Sequence, residues 1–274
     1  MLEARPLLEF ASPQIAQILT QSFEGYLVPI QVTPQSFERR FRGESLDAEA
    51  SKVYFDGETP VGIVLVDRRG FNSRIGAMGI VLAYRDKKLG QQVLQEILGT
   101  ARERGDKGMV LEVFEQNPRA VALYRKMGFE VKRRLVGYRR AAEAGIKAEL
   151  KAVDILEFAH LVAQEGEPDL PWMLAPETLA SMTAPVKAWG MEGVAYALVN
   201  ELPESFLLQA MLVRRDQRGQ GWGRRLVQAL AAQYPGKTCR VVQIVPEELA
   251  SGFFKQTGFE VEALNQFEMY CGLS

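Results

Sequence analysis

A single histidine, His160, and two cysteines, Cys239 and Cys271, are all the imidazole and thiol in this 274-residue chain. The scarcity of imidazole removes most nucleophilic machines and histidine-rich metal centres, because Ser-His-Asp and Cys-His arrangements need that ring at the reacting atom. His160 itself falls in an amphipathic helical pattern at 155–162 with no motif around it, so it reads as helix surface or packing. Two cysteines are too few for a disulfide scaffold and lack metal-ligand spacing, which fits a reducing cytoplasm. An excess of either charge is also missing: 33 Lys and Arg stand against 34 Asp and Glu, so no global field draws nucleic acid or an anionic membrane to the surface. No stretch approaches the roughly 20 apolar residues of a membrane span. Glu3 sits where a secretory signal wants bases. We therefore expect a soluble, cytoplasmic protein without metal, nucleic acid or membrane among its partners, working through backbone dipoles, hydroxyls or carboxylates.

The chain does contain an internal repeat. Segments 75–129 and 206–259 share an order: apolar strand, basic glycine-containing turn, amphipathic helix, apolar strand, short helix, then glycine and phenylalanine. Gly90 falls on Gly223 and Phe129 on Phe259, so the second copy is three residues shorter between those marks. A repeat of this length is a duplicated domain, each copy large enough for its own core. Small and polar residues at 141–147 interrupt the apolar periodicity, which places a first domain at 1–142, a linker at about 143–147 and a second domain at 148–274. The first half predicts helices near 13–23 and 34–41, strands at 51–55, 61–67 and 75–82, a helix at about 89–103, a strand at 109–114, and a helix opened by Pro118 and closed by Gly128. The second half repeats this with a thinner front, a helix near 153–163 and a loop at 168–172. Alternating strands and helices imply an α/β sheet of mixed strand direction.

Chemistry concentrates at 212–227, where an apolar strand feeds a basic, glycine-dense turn and then a helix. Unpaired N–H groups at a helix start, with the positive end of the helix dipole, favour a phosphate, and glycine lets the main chain approach it. Neither the dinucleotide fingerprint nor the Walker loop fits the spacing. Arg218, Gly221 and Gly223 in the order Arg-x-x-Gly-x-Gly are instead similar to the pyrophosphate loop of the GNAT superfamily of N-acetyltransferases. In the first copy, 112–129 resembles that family's second signature: a strand, Asn117 capping a helix, and Tyr124 four residues before Gly128-Phe129. The resemblance covers nearly the whole chain. It implies an α/β (α+β) fold of two tandem GNAT-like domains, each a mixed, mostly antiparallel sheet flanked by helices. It further implies acetyl-CoA as co-substrate, its pantetheine arm between splayed strands and its pyrophosphate on the loop. The implied binding residues are Ile80, Val81, Leu82, Arg85, Lys87, Lys88, Leu89, Gly90, Gln91, Asn117, Ala120 and Tyr124 in the first copy. In the second they are Met211, Val213, Arg218, Gly219, Gly221 and Gly223.

Neither copy carries the complete set. In the first, Lys88 replaces the first required glycine; in the second, Phe254 stands at the place of Tyr124 and Glu247 at that of Asn117. Loss of the glycine leaves the N–H donors, and Lys87 and Lys88 add positive charge. Loss of the tyrosine removes the O–H that the family commonly uses to protonate the departing thiolate, a role worth about 10²- to 10⁴-fold. The first domain is therefore the expected transfer site, with the second binding acetyl-CoA without turnover or completing the acceptor cleft. Chemistry in the second domain, or a non-catalytic acyl-CoA-binding regulatory module, are the alternatives. The expected reaction is direct attack of an amine on the thioester, with the oxyanion held by a main-chain N–H of the strand at 75–82. Glu112 and Glu115 are the nearest candidate bases, each also readable as an ordinary strand-end carboxylate, and a water chain is an equal rival. Glu24 and Tyr26 are candidates for meeting the acceptor, a small amine or a protein amino group, though a helix end and packing turn explain them as well. A homodimer is allowed. Trp222 is placed to flank the coenzyme, Cys239 and Cys271 read as structural, and the basic residues Lys132, Arg133, Arg134, Arg139 and Arg140 as a solvated face.

Overall fold

The computed structural model describes residues 2–41 and 43–273. In chain order the elements are β1 (Glu3–Pro6), α1 (Ser12–Ser22), α2 (Pro34–Arg40), β2 (Leu46–Asp56), β3 (Thr59–Arg69), β4 (Asn72–Ile80), α3 (Leu89–Glu103), β5 (Gly108–Phe114), α4 (Pro118–Lys126) and β6 (Glu130–Arg140). There follow β7 (Lys151–Val153), α5 (Ile155–Glu165), α6 (Pro176–Ala180), β8 (Val186–Met191), β9 (Ala195–Glu201), β10 (Ser205–Val213), α7 (Trp222–Gln233), β11 (Thr238–Pro246), α8 (Glu247–Gln256), β12 (Glu260–Val261) and β13 (Gln266–Gly272). The helix at 89–103 forms as the periodicity predicts, because Val93, Leu94, Ile97, Leu98 and Ala101 make one buried stripe. The strand expected at 51–55 begins earlier, at Leu46, where alternation is weak but pairing with β3 is available. β8 and β9 supply the front of the second half, which has a full antiparallel pair there.

Two compact units result. The first comprises the described residues up to Arg133 together with the chain from Phe267 onward; the second is Arg134–Gln266. These units are not divided by a single cut at 143–147. β13 lies beside β5 in the first unit, and its Met269 and Cys271, with Leu273, are buried among Val93, Leu111 and Phe129. The burial of each such side chain contributes roughly 1.5–3 kcal/mol, enough to override sequence proximity. Residues 134–140 of β6 go instead to the second unit, antiparallel to β11. The segment 143–147 is not a free tether either: a Cβ on Gly145 would strike the main chain of α7 at Gln228 and Ala232.

In the first unit β1, β2, β3 and β4 run antiparallel in that order, and β4 pairs β5 in parallel. One core lies between this sheet and α3, and a second, with Leu19, Phe37, Ile63 and Leu65, lies under α1 and α2 on the other face. The second unit repeats the plan: β7, β8, β9 and β10 antiparallel, β10 parallel to β11, with cores built on α7 and α8 and on α5 and α6. Each unit is thus a mixed, mostly antiparallel sheet flanked by helices. Among the described residues no helix is long and apolar enough to cross a membrane.

Candidate active site

The two units open the same way at the same place. β4 and β5 pair only over Asn72–Ile75 and Gly108–Leu111, and β10 and β11 only over Ser205–Leu207 and Thr238–Arg240. Beyond those residues each parallel pair parts, so alternate main-chain N–H and C=O groups on the facing edges lose their ladder partners. The helix that follows the inner strand, α3 or α7, then begins without a side-chain cap, whereas Asn117 caps α4 and Asp154 caps α5. Orphan N–H groups at the mouth of a strand gap make an anion site continuous with a slot.

The turn keeps one backbone shape in both units although the glycines are gone from one. Gly219 and Gly221 have φ of +77° and +84°; the matching Asp86 and Lys88 have φ of +66° and +62°. Lys88 therefore holds the left-handed position that Gly221 takes without steric cost. The second motif glycine acts differently. A Cβ on Gly90 would press on Leu123 and Met78, and one on Gly223 on Phe253 and Met211, so this glycine lets the helix start lie close to α4 or α8. The motif arginines turn to carbonyl groups. Arg85 donates to Ile80 O at 2.9 Å, Ser22 O at 3.2 Å and Glu24 O at 2.7 Å, and Arg218 donates to Val213 O at 3.2 Å, Glu165 O at 2.7 Å and Glu167 at 2.8 Å. Both brace the turn against the end of the unit's first helix. Among the other expected loop residues, Val81 N–H is taken by Val61 O, Gln91 accepts from Lys126, Lys87 lies over the Tyr84 ring, and Leu82 is exposed. Asp86 pairs with Arg119.

In the first unit Tyr26, Asn117 and Tyr124 come together. Asn117 Oδ1 accepts from Ala120 N at 3.2 Å, and the Tyr26 phenol shares a hydrogen bond with the Asn117 side chain. Its ring rests on Phe23 and Phe114 at centroid distances of 5.4 and 6.1 Å. Burial raises the Tyr124 phenol above its ordinary pKa, and the neighbouring Tyr26 raises it further. Glu24 contributes its carbonyl to Arg85 while its side chain is exposed.

Glu112 belongs to a buried ion cluster that the sequence reading missed. Arg74 donates to Glu112 at 2.9 Å, to Glu44 at 2.6 Å and to Asp67 at 2.7 Å. Asp67 is wholly buried, and burial pushes it up to about 7 despite Arg74. Glu112 is also raised, by burial first. The only sequence signal was charge at inward-facing strand positions, and it could not pair them. In the second unit the cross-strand pair Asp67–Arg74 is replaced by Asn200–Leu207.

The second unit holds a cavity of about 710 Å³ reaching from Gln217–Arg224 past β10 and α8. Trp222, Met211, Val213, Gly219, Gly221 and Gly223 line it, with Phe253 and Phe254 where the first unit has Leu123 and Tyr124. Tyr138 stacks on Phe254 at 4.2 Å but does not line the cavity. The basic residues of β6 are matched to acids, Arg133 to Glu268, Arg134 to Glu247, Arg139 to Glu260 and Arg140 to Glu143. Cys239 and Cys271 are buried, with the Cys239 thiol pushed up to about 12. His160 lies on the exposed face of α5 beside Gln164. Among the described residues no group of acids, histidines and cysteines could hold a metal ion.

Comparison with known proteins agrees with this geometry. Residues 13–129 match the Acetyltransferase (GNAT) family and residues 187–261 the Acetyltransferase (GNAT) domain. No curated protein matches the chain in sequence. Among solved structures, a protein of proposed acetyltransferase function from Pyrococcus horikoshii is 17% identical with a TM-score of 0.70, over 99% of this chain and 89% of that one. A GCN5-related N-acetyltransferase from Sphaerobacter thermophilus is 14% identical with a TM-score of 0.68, over 99% and 96%. A tandem GNAT protein from the clavulanic acid biosynthesis pathway is 16% identical with a TM-score of 0.69, over 100% and 99%. At these identities the structures establish the fold, and the family matches place a GNAT domain in each half: the chain belongs to the GNAT acetyltransferase family, as a tandem member.

Proposed function

We propose that this protein moves an acetyl group from acetyl-CoA to an amine in the cytoplasm, with the first unit as the transfer site and the two compact units as its domains. The uncapped N–H groups at the start of α3, with Lys87 and Lys88 beside them, hold the pyrophosphate, and the parted edges of β4 and β5 take the pantetheine arm. A main-chain N–H on the free edge of β4 stabilises the oxyanion, and Tyr124 donates its proton to the leaving sulfur. The observation that supports the choice of unit is the Tyr124 phenol itself, an O–H that a developing thiolate can take, where the second unit has Phe254 with none.

Arg74 occupies one oxygen of Glu112 at 2.9 Å and ties that carboxylate into the cluster with Glu44 and Asp67, so in this reading water takes the amine proton. Tyr26, fixed by Asn117 and Phe114, shapes the acceptor side, and Glu24 lies at its rim. The acceptor is a small amine or a protein amino group. The test is thiol release by the full chain over an amine panel: transfer that Tyr124→Phe leaves untouched, or that Gly223→Leu in the second cleft abolishes, overturns the assignment to the first unit.

A further inference from the structure

We infer that the cleft of the second unit takes a coenzyme A thioester whose acyl chain is much longer than acetyl, an inference that rests on reading that cleft as an acyl-CoA site. Every residue of β10 from Leu208 to Val213 lines the cavity. Successive side chains of a strand point to opposite faces, so a cavity lined by an unbroken run passes round the strand's edge, through the gap where β10 and β11 part. One end is the loop, with Gly221 and the cationic Arg224, suited to a diphosphate. The other end, beyond the strands, is lined by Val162, Leu170, Leu179 and Leu212, which belong to or pack on the apolar core under α5 and α6.

Whatever follows the sulfur of a bound thioester meets that end. An amine acceptor there needs a polar partner, and none of the titratable kind is offered. Among the described residues one carboxylate, Glu167, lies on the cavity wall and pairs with Arg218 at 2.8 Å near the loop; Gln209, Gln217 and Gln256 add only uncharged amides, and the Thr257 hydroxyl donates to Phe253 O and Phe254 O. The charged cross-strand pair of the first unit is Asn200–Leu207 here. A methylene chain satisfies such walls, whereas an acetyl group leaves them facing solvent.

The test is calorimetric titration of the full chain with coenzyme A, acetyl-CoA and octanoyl-CoA. Each methylene buried strengthens binding about fourfold, so one of the two sites binds octanoyl-CoA roughly a hundredfold or more tighter than acetyl-CoA. Leu170→Asp, which places a charge in a half-buried wall away from the loop, erases that gain while bare coenzyme A binds as before, the latter showing that the variant is folded. Equal affinity for the two thioesters at a second site that binds coenzyme A, or a chain-length gain that survives Leu170→Asp, overturns the inference and leaves the coenzyme site standing. Failure of the more basic reading has a different signature: a single coenzyme site in the wild type, unaltered by Gly221→Glu.

Discussion

Tyr124, partly buried, and Asp67, wholly buried, are two acids whose surroundings push them in the same direction. For Tyr124, proposed as the donor to a leaving thiolate, the upward shift makes the phenol a weaker acid than a free tyrosine. Tyr124→Phe is expected to lower kcat by about 10²- to 10⁴-fold with the acetyl-CoA Kd unchanged, read by thiol release and calorimetry. For Asp67 the shift is a cost. Asp67, Glu44 and Glu112 surround the single guanidinium of Arg74, so full ionisation leaves negative charge uncompensated in a dry site, and Asp67 keeps its proton to about pH 7. Between the ordinary aspartate pKa of about 4 and that value, the folded chain binds a proton the unfolded chain has released. Stability therefore declines as pH rises across that interval and levels off above it. Melting temperatures from pH 5 to 7.5 should show this slope in the wild type and a shallower one in Asp67→Asn, the remainder coming from Glu112, which is also raised; an equal slope in both removes Asp67 from the account.

At the scale of one turn and one helix, the loop shows that a motif is a backbone shape before it is a list of residues. Lys88 at φ +62° and Asp86 at φ +66° reproduce the conformation that Gly221 and Gly219 adopt freely. A non-glycine residue in that region costs roughly 1–2 kcal/mol, which the first unit sustains while placing a cation at the start of α3. Lys88→Gly should stabilise the protein by about 1 kcal/mol in denaturant unfolding and weaken acetyl-CoA binding through loss of the cation. A variant that unfolds earlier removes strain from the account of this loop.

Over the whole molecule, each compact unit completes its sheet with a strand from the other half of the chain: β13 joins the first, residues 134–140 of β6 the second. Independent folding of the halves is therefore not expected. A chain ending at residue 145 lacks the strand beside β5 and exposes that edge with its apolar neighbours, so it should aggregate or unfold in circular dichroism and size-exclusion measurements. Removing only 267–274 should abolish acetyl transfer in the first unit, although those residues lie more than a hundred positions from Tyr124 in the chain. A soluble, cooperatively melting fragment 1–145 would falsify this picture.

Local signals were legible in the residues themselves. The buried stripe of α3, the Asn117 cap, the Pro118 start and the strand-turn-helix order at 212–227 each depend on neighbours a few positions apart, which periodicity and capping chemistry encode directly. The family followed from those signals for the same reason. Contacts between residues remote in sequence were not legible. Nothing near Glu112 indicates that Arg74 and Glu44 will bind it, nothing near Arg85 that it will grip the carbonyls of α1's end, and nothing near Gly145 that it will lie against α7. The destination of β13 was equally hidden, because an apolar strand fits any vacant sheet edge, and only the assembled core, by burying Met269, Cys271 and Leu273, chooses which one.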